Sequence, residues 1–178
     1  PRDWSSDVCS SDLLPDWVSV VQLPIRTSGA DCSDECPRWT AYLTATTGGD
    51  PELMALLQEI AGWLLVPDTS YQKFVLFYGD AGTGKSTFLR TVTALLGTQN
   101  VSAVGMDRLT DRFSPAEMQD KLANLCGDMG KVTDKVEGVL KMLTGEDTMM
   151  FERKHQTPYS ARATARLIFA TNELDRKS

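Results

Sequence analysis

Residues Phe74–Thr87 read FVLFYGDAGTGKST. An apolar, aromatic run leads into a complete phosphate-binding loop of the form G-x-x-x-x-G-K-[ST]. Gly79, Gly82 and Gly84 permit backbone conformations that side chains block. The N–H groups of Asp80, Ala81, Thr83 and their neighbours can then face one concavity and cradle phosphate oxygens. Lys85 supplies a point charge for the β- and γ-phosphates. The Ser86 hydroxyl supplies a ligand for Mg²⁺, and Thr87 closes the motif. The competing reading is a glycine-rich turn between strand and helix. Every fixed position matches, and the flanking pattern is strand before and helix after, which favours the phosphate loop.

Working outward, the chain has 178 residues, enough for one domain or one domain with an appendage. Its hydrophobic content of 42% suffices for a packed core. The net charge of −6 argues against a broad nucleic-acid-binding surface while leaving room for a local basic loop. No apolar run is long enough to span a bilayer, and the N-terminus lacks the basic start and apolar centre of a signal peptide. Cys9, Cys32, Cys36 and Cys126, with the single histidine His155, do not form a zinc pattern. They read as reduced thiols of a cytoplasmic protein.

The two ends read as foreign. Residues 3–13, DWSSDVCSSDL, repeat Ser-Ser-Asp without helix or strand period. Asp175-Arg176-Lys177-Ser178 back-translates to GATCGGAAGAGC. The reverse complement, read one frame over, encodes Ser-Ser-Asp, as at Ser10–Asp12. That DNA resembles a sequencing-library adapter, so residues 1–13 and 175–178 are expected to be non-native, an ordinary disordered tail being the other reading. Between them, 14–70 read as loop and helical lead-in and 71–174 as the P-loop core.

In the lead-in, Pro37 opens a helix to about Ala45, and Thr46–Gly49 break it. Asp50 is an N-cap with Pro51 at the first helical position. Leu53, Leu57, Ile60, Ala61 and Leu64 then recur at helical spacing. Trp39 and Trp63 read as core between lead-in and core domain, with adenine stacking the lesser alternative. The core begins with strand 74–78, apolar on both faces like a central parallel strand. Helix 85–96 places Phe88, Leu89, Val92, Leu95 and Leu96 inward and ends at Gly97. Strands are predicted at 101–104, 122–126, 149–153 and 166–171, with a helix at 133–143. Alternation of strands and helices predicts an α/β fold: a P-loop NTPase, AAA+-like parallel sheet flanked by helices, with ligand at the strand C-termini.

Two further candidates fall at that edge. Asp128, just past strand 122–126, can hold Mg²⁺ through water or polarise the attacking water; a turn-forming Asp is the alternative. Glu146 and Asp147 are fallback carboxylates. Asn172, ending strand 166–171, can donate and accept at once, which suits orienting a water; a turn Asn is the alternative. Arg153, Lys154 and His155 form a basic tip able to reach nucleic-acid phosphates, with a solvated turn standing beside that reading.

The order WTAYL, GDPELMALLQEIAGWLL, DTSYQKFVLFYGDAGTGKSTFL, KLANLCGD, LKMLTGEDTMMFERKHQ and TARLIFATNEL resembles the C-terminal helicase module of phage and plasmid primase–helicases, within superfamily 3. The resemblance covers roughly residues 36–174. It implies that Gly79–Thr87 bind ATP and Mg²⁺, and that Lys85, Asp128 and Asn172 are catalytic, with Asn172 the sensor. It also implies that Arg153, Lys154 and His155 lie on a hairpin that contacts single-stranded DNA in the channel of a hexameric ring. Many members carry two adjacent acids where this chain has Gly127-Asp128. A primase domain in the same polypeptide, and action in a bacterial host or virus-infected cell, follow as expectations. An arginine contributed by the next subunit lies beyond the fourth motif in the family. The fragment is therefore expected to bind ATP–Mg²⁺ but hydrolyse it poorly. The rival readings are a small-molecule P-loop kinase, for which no arginine-rich lid is evident, and a non-catalytic nucleotide-binding assembly module.

Overall fold

The computed structural model describes residues 21–25, 36–130 and 133–173. Both suspect termini, together with Cys9 and Cys32, lie outside them. Helix α1 spans Pro37–Thr47 and α2 spans Pro51–Trp63. Each starts with proline, whose fixed φ suits a first turn and whose lack of an N–H costs nothing there. Asp50 caps α2 by accepting from Glu52 N at 2.9 Å and Leu53 N at 3.3 Å. Its apolar face is narrower than the spacing predicts. Leu64 and Ala61 are buried, Leu57 and Ile60 half-buried, and Leu53 is exposed.

The core follows as β1 (Val75–Tyr78), α3 (Lys85–Leu96), β2 (Val101–Ser102), β3 (Ala123–Cys126), α4 (Asp134–Thr144), β4 (Thr148–Phe151), β5 (Tyr159–Arg162) and β6 (Arg166–Thr171). Short 3₁₀ turns at Met106–Arg108 and Ser114–Met118 bridge β2 to β3. Four strands form a parallel sheet in the order β1-β6-β3-β2. This is the mixed α/β, P-loop NTPase-like architecture that the alternation predicts.

Three expectations are corrected. Strand β1 sits at the edge of the sheet among the described residues, with β6 in the middle, so apolarity on both faces did not mark the central strand. Its flanking Phe74 and its terminal Tyr78 are exposed. Strand β2 ends at Ser102 rather than Val104, because the Asn124 side chain replaces the ladder there. Its amide donates to Val104 O at 2.9 Å, and its oxygen accepts from Val104 N at 2.8 Å and from Ser102 Oγ at 2.9 Å. Finally, the strand predicted at 149–153 ends at Phe151 and is followed by β5, which the pattern did not predict, rather than by β6. Strand β4 pairs antiparallel with β5, Thr148 opposite Arg162 and Phe151 opposite Tyr159, in a separate two-stranded hairpin.

Alternation along β6 divides the core. Leu167 and Phe169 join a cluster with Val104, Met118, Val136 and Phe151. Ile168 and Ala170 join another with Leu64, Phe88, Val92 and Leu125. A strand buried on both sides is what a parallel sheet covered on both faces requires. Each such Leu, Ile or Phe contributes about 1.5–3 kcal/mol by leaving water. Trp39 and Trp63 are half-buried and pack against the second cluster, between the lead-in and the sheet as expected.

Candidate functional site

The phosphate loop leaves the carboxyl end of β1 and enters α3. Gly82 and Gly84 have φ of +83° and +93°, left-handed values that glycine adopts without a Cβ clash. At Gly84 there is a second constraint. A Cβ there would lie 2.9 Å from Thr46 Oγ1 and 3.3 Å from Tyr42 Cε2, so α1 packs directly on the loop. Lys85 folds back along the loop. Its Nζ donates to Gly79 O at 2.6 Å, to Asp80 O at 2.8 Å and to Thr83 Oγ1 at 3.2 Å. Thr83 Oγ1 in turn donates to Asp80 O at 2.9 Å. Residues 80–83 lie outside helix and strand, so their amides are not spent on a regular ladder. Ser86 and Thr87 sit in the first turn of α3 and are exposed.

Register places Asn172 beside this loop and Asp128 at the same edge of the sheet, one strand further over. Tyr78 pairs with Thr171, and Gly79 N donates to Thr171 O at 3.4 Å. Asn172 is the next residue and is exposed. Its turn is clamped by Thr171 Oγ1, which donates to Glu173 O at 2.6 Å and accepts from Glu173 N at 3.2 Å. On the other side of β6, the ladder with β3 ends at Cys126 opposite Phe169. Asp128 therefore begins its turn at the same edge. Its Oδ1 accepts from Gly130 N at 3.2 Å, the Asx geometry of the turn reading, and the residue is exposed.

Cys126 is a neighbour that spacing did not single out. Its Sγ donates to Asp128 O at 2.9 Å. Burial pushes the thiol pKa up. A hydrogen bond from the Asp128 backbone to the sulfur opposes that rise, and the negative charges of Asp128 and Asp107 add to it. A thiol that stays protonated remains a donor, so Cys126 ties down the turn that carries Asp128.

The basic tip lies between β4 and β5. Lys154 and His155 are exposed and make no ion pair among the described residues; His155 has φ +63°. Arg153 is differently placed. It pairs with Asp120 at 3.9 Å, and its guanidinium stands 5.9 Å from the Tyr159 ring centroid. Arg112, absent from the sequence candidates, pairs with Glu152 at 2.5 Å and lies over Phe113 at 5.4 Å. The loop between β2 and β3 is thereby tied to the hairpin at two points. No hydrophobic period or motif marks Arg112 or Asp120, so nothing local could have found them. Glu146 and Asp147 lie in the turn between α4 and β4, outside the main sheet. Cys36 and Cys126 are free, no metal-binding group of three or more His, Cys, Asp or Glu occurs among the described residues, and no helix there is long and apolar enough to cross a membrane.

Sheet order, loop and edge together define the class as a P-loop NTPase-like α/β domain. Residues 77–178 match the family of unknown function DUF5906, and the chain belongs to that family. An uncharacterized mitochondrial protein of Marchantia polymorpha, ymf21, is 29% identical over 108 residues, 61% of this chain and 60% of that one. Among solved structures, the apo C-terminal region of NrS-1 (305–718) superposes with a TM-score of 0.64 at 20% identity, covering 79% of this chain and 35% of that one. A JCV helicase bound to a thiazolopyridine-phenoxyphenyl acetamide gives a TM-score of 0.53 at 17% identity, covering 77% and 39%. At those identities the likeness is one of fold. The chain spans about 60% of the Marchantia protein and little more than a third of each of the two solved structures.

Proposed function

We propose that this chain is the ATP-hydrolysing motor part of a superfamily 3, phage- or plasmid-type primase–helicase that moves on single-stranded DNA during replication. Supporting observations are the helicase-like fold and, above all, one hydrogen bond. Gly79 N donates to Thr171 O, so the first residue of the phosphate loop and the residue before Asn172 are held together. A nucleoside triphosphate fits the donors present: an open glycine loop at a helix N-terminus, a lysine laid along it and an exposed hydroxyl at Ser86. When bound, Mg²⁺ would supply charge neutralisation on the phosphates, with Ser86 and Asp128 to hold it.

Within this reading Lys85 exchanges its backbone partners Gly79 O and Asp80 O for phosphate oxygens. Asn172 orients the attacking water through its amide, and Asp128 holds or polarises at the adjacent strand end. Phosphoryl transfer asks mainly for positioning and charge stabilisation, which is what strand-end residues on a rigid sheet provide. Lys154 and His155 meet DNA phosphates and bases from the hairpin tip, and Arg153 braces that tip through Asp120 and Tyr159. A hexameric ring and a primase domain in the same polypeptide belong to this proposal.

The test is a titration with a fluorescent ATP analogue and Mg²⁺, followed by single-stranded DNA. Lys85→Ala should bind nucleotide about 10- to 150-fold more weakly, the worth of hydrogen bonds from a charged donor. Lys154→Ala should weaken DNA binding and reduce the salt slope by about 0.7. Nucleotide affinity unchanged in Lys85→Ala would sink the ATPase reading. An unchanged salt slope would sink the hairpin's role.

A further inference from the structure

We infer that Tyr42 of α1 is a positioning residue for the phosphate loop, making the helical lead-in part of the nucleotide site. This rests on the nucleotide reading above and adds a residue that lies 42 positions before the glycine it holds. The Tyr42 hydroxyl donates to Gly84 O at 3.0 Å. That carbonyl also accepts Thr87 N and Phe88 N, each at 3.0 Å, and so opens α3. A trans peptide is planar, with its C=O and N–H antiparallel. Holding the Gly84 carbonyl therefore fixes the direction of the N–H on the same unit, which belongs to Lys85. That N–H has no partner within the helix and faces out from its N-terminus, where an anion binds. Polarising the carbonyl also strengthens the N–H as a donor.

The hydroxyl is itself well held. The Tyr42 ring stacks on Trp39, centroids 5.4 Å apart, and Trp39 reaches Phe88 of α3 at 6.0 Å. Thr46, one turn on from Tyr42, fills the space that a side chain at Gly84 would need. Burial pushes the Tyr42 phenol pKa above its ordinary value, against the opposing pull of Thr46 and the Phe88 amide. The oxygen keeps its proton and donates throughout the neutral range. The contact thus joins three features that only the nucleotide site needs together: a left-handed glycine, a helix N-terminus and the amide of the loop lysine.

Tyr42→Phe keeps the ring and removes the donor. MgATP binding to the 178-residue chain should weaken about three- to tenfold, one hydrogen bond's worth, with little change in thermal midpoint. Leu43→Val is the control for packing: it should lower the midpoint while binding MgATP within twofold of the unsubstituted chain. The Lys85 amide resonance should shift in nucleotide-free Tyr42→Phe and stay in place in Leu43→Val. Binding by Tyr42→Phe within twofold of the unsubstituted chain overturns the assignment. So does an equal loss in Leu43→Val, which would make the effect one of packing. Failure of the unsubstituted chain to bind MgATP removes the nucleotide reading itself, and this inference with it. Binding that Lys85→Ala loses and Tyr42→Phe keeps removes only the role of Tyr42.

Discussion

On one face of the sheet, α2 and α3 lay Leu64, Phe88 and Val92 against Ile168 and Leu125. On the other, the chain between β2 and β3, with α4 and the hairpin, lays Val104, Met118, Val136 and Phe151 against Leu167 and Phe169. The helical face satisfies its backbone internally and repeats an apolar period. Much of the second face consists of short 3₁₀ turns, which cannot satisfy a long stretch of backbone. Buried Asn124 does part of that instead, pinning the N–H and C=O of Val104 and the hydroxyl of Ser102. The phosphate loop opens a helix of the first face. The hairpin, and the loop tied to it by Arg112 and Asp120, belong to the second. In the motor reading, a platform for nucleotide thus backs onto a layer built from short turns and a hairpin, whose local opening hydrogen exchange can read.

The largest expected effect tests whether the two faces are separable. Phe88 and Phe151 are each 1% exposed. Truncation of either to alanine should cost about 3–5 kcal/mol. Phe88→Ala should lower the protection of amides across the whole sheet in hydrogen exchange. Phe151→Ala should lower it first in β4 and β5, leaving α3 and β1 protected. Equal loss everywhere in both variants would show one cooperative unit and break the distinction.

A smaller effect sharpens it. Asn124 is fully buried and serves three partners. Asn124→Ala leaves the N–H and C=O of Val104 and the hydroxyl of Ser102 without it. A buried polar group left unpaired costs about 1–3 kcal/mol. Denaturant unfolding should show a loss in that range, with faster amide exchange at Val104 and in the following turns. Retained protection at Val104 would mean that water or a shifted strand replaces the amide.

The same contrast explains what could be read from sequence. The bounds of α3 were legible to the residue, because Gly84 and Gly97 bracket one clear helical period. The start of α2 was legible because Asp50-Pro51 carries its own capping chemistry. Strand β5 was not, since Tyr159–Arg162 is only half-buried at alternate positions and its neighbour is set by pairing. Whether β1 lies at the edge depends on strand order, a long-range property that its own apolar residues do not encode. Asp128 and Asn172 were visible as polar residues ending apolar runs. Tyr42, Cys126 and Arg112 were not, because each matters through a partner that no local spacing announces.

The smallest expected effect concerns the foot of the helical face. There Arg166 is buried, donates to Trp63 O, and lies over the Trp63 ring at 4.3 Å. Its acidic partner is Asp68, at 3.9 Å. Hydrogen bonds from Ser70 Oγ at 2.6 Å and Ser70 N at 2.9 Å hold the Asp68 carboxyl below its ordinary value of 3.8, and the Arg166 charge adds to them. A carboxyl whose pKa is lowered on folding stabilises the fold while ionised. That contribution is present above about pH 4 and is lost as pH falls through the lowered value. Thermal midpoints from pH 7 to pH 2 should therefore converge for the unsubstituted chain and Asp68→Asn as acid is added, the unsubstituted chain being slightly more stable at the neutral end. The gap should be small, because Asp68 is partly exposed and water screens the pair. A gap that is constant across this range would assign the effect of Asp68 to turn geometry alone, leaving the foot of the helical face held by the contacts of Arg166 with Trp63.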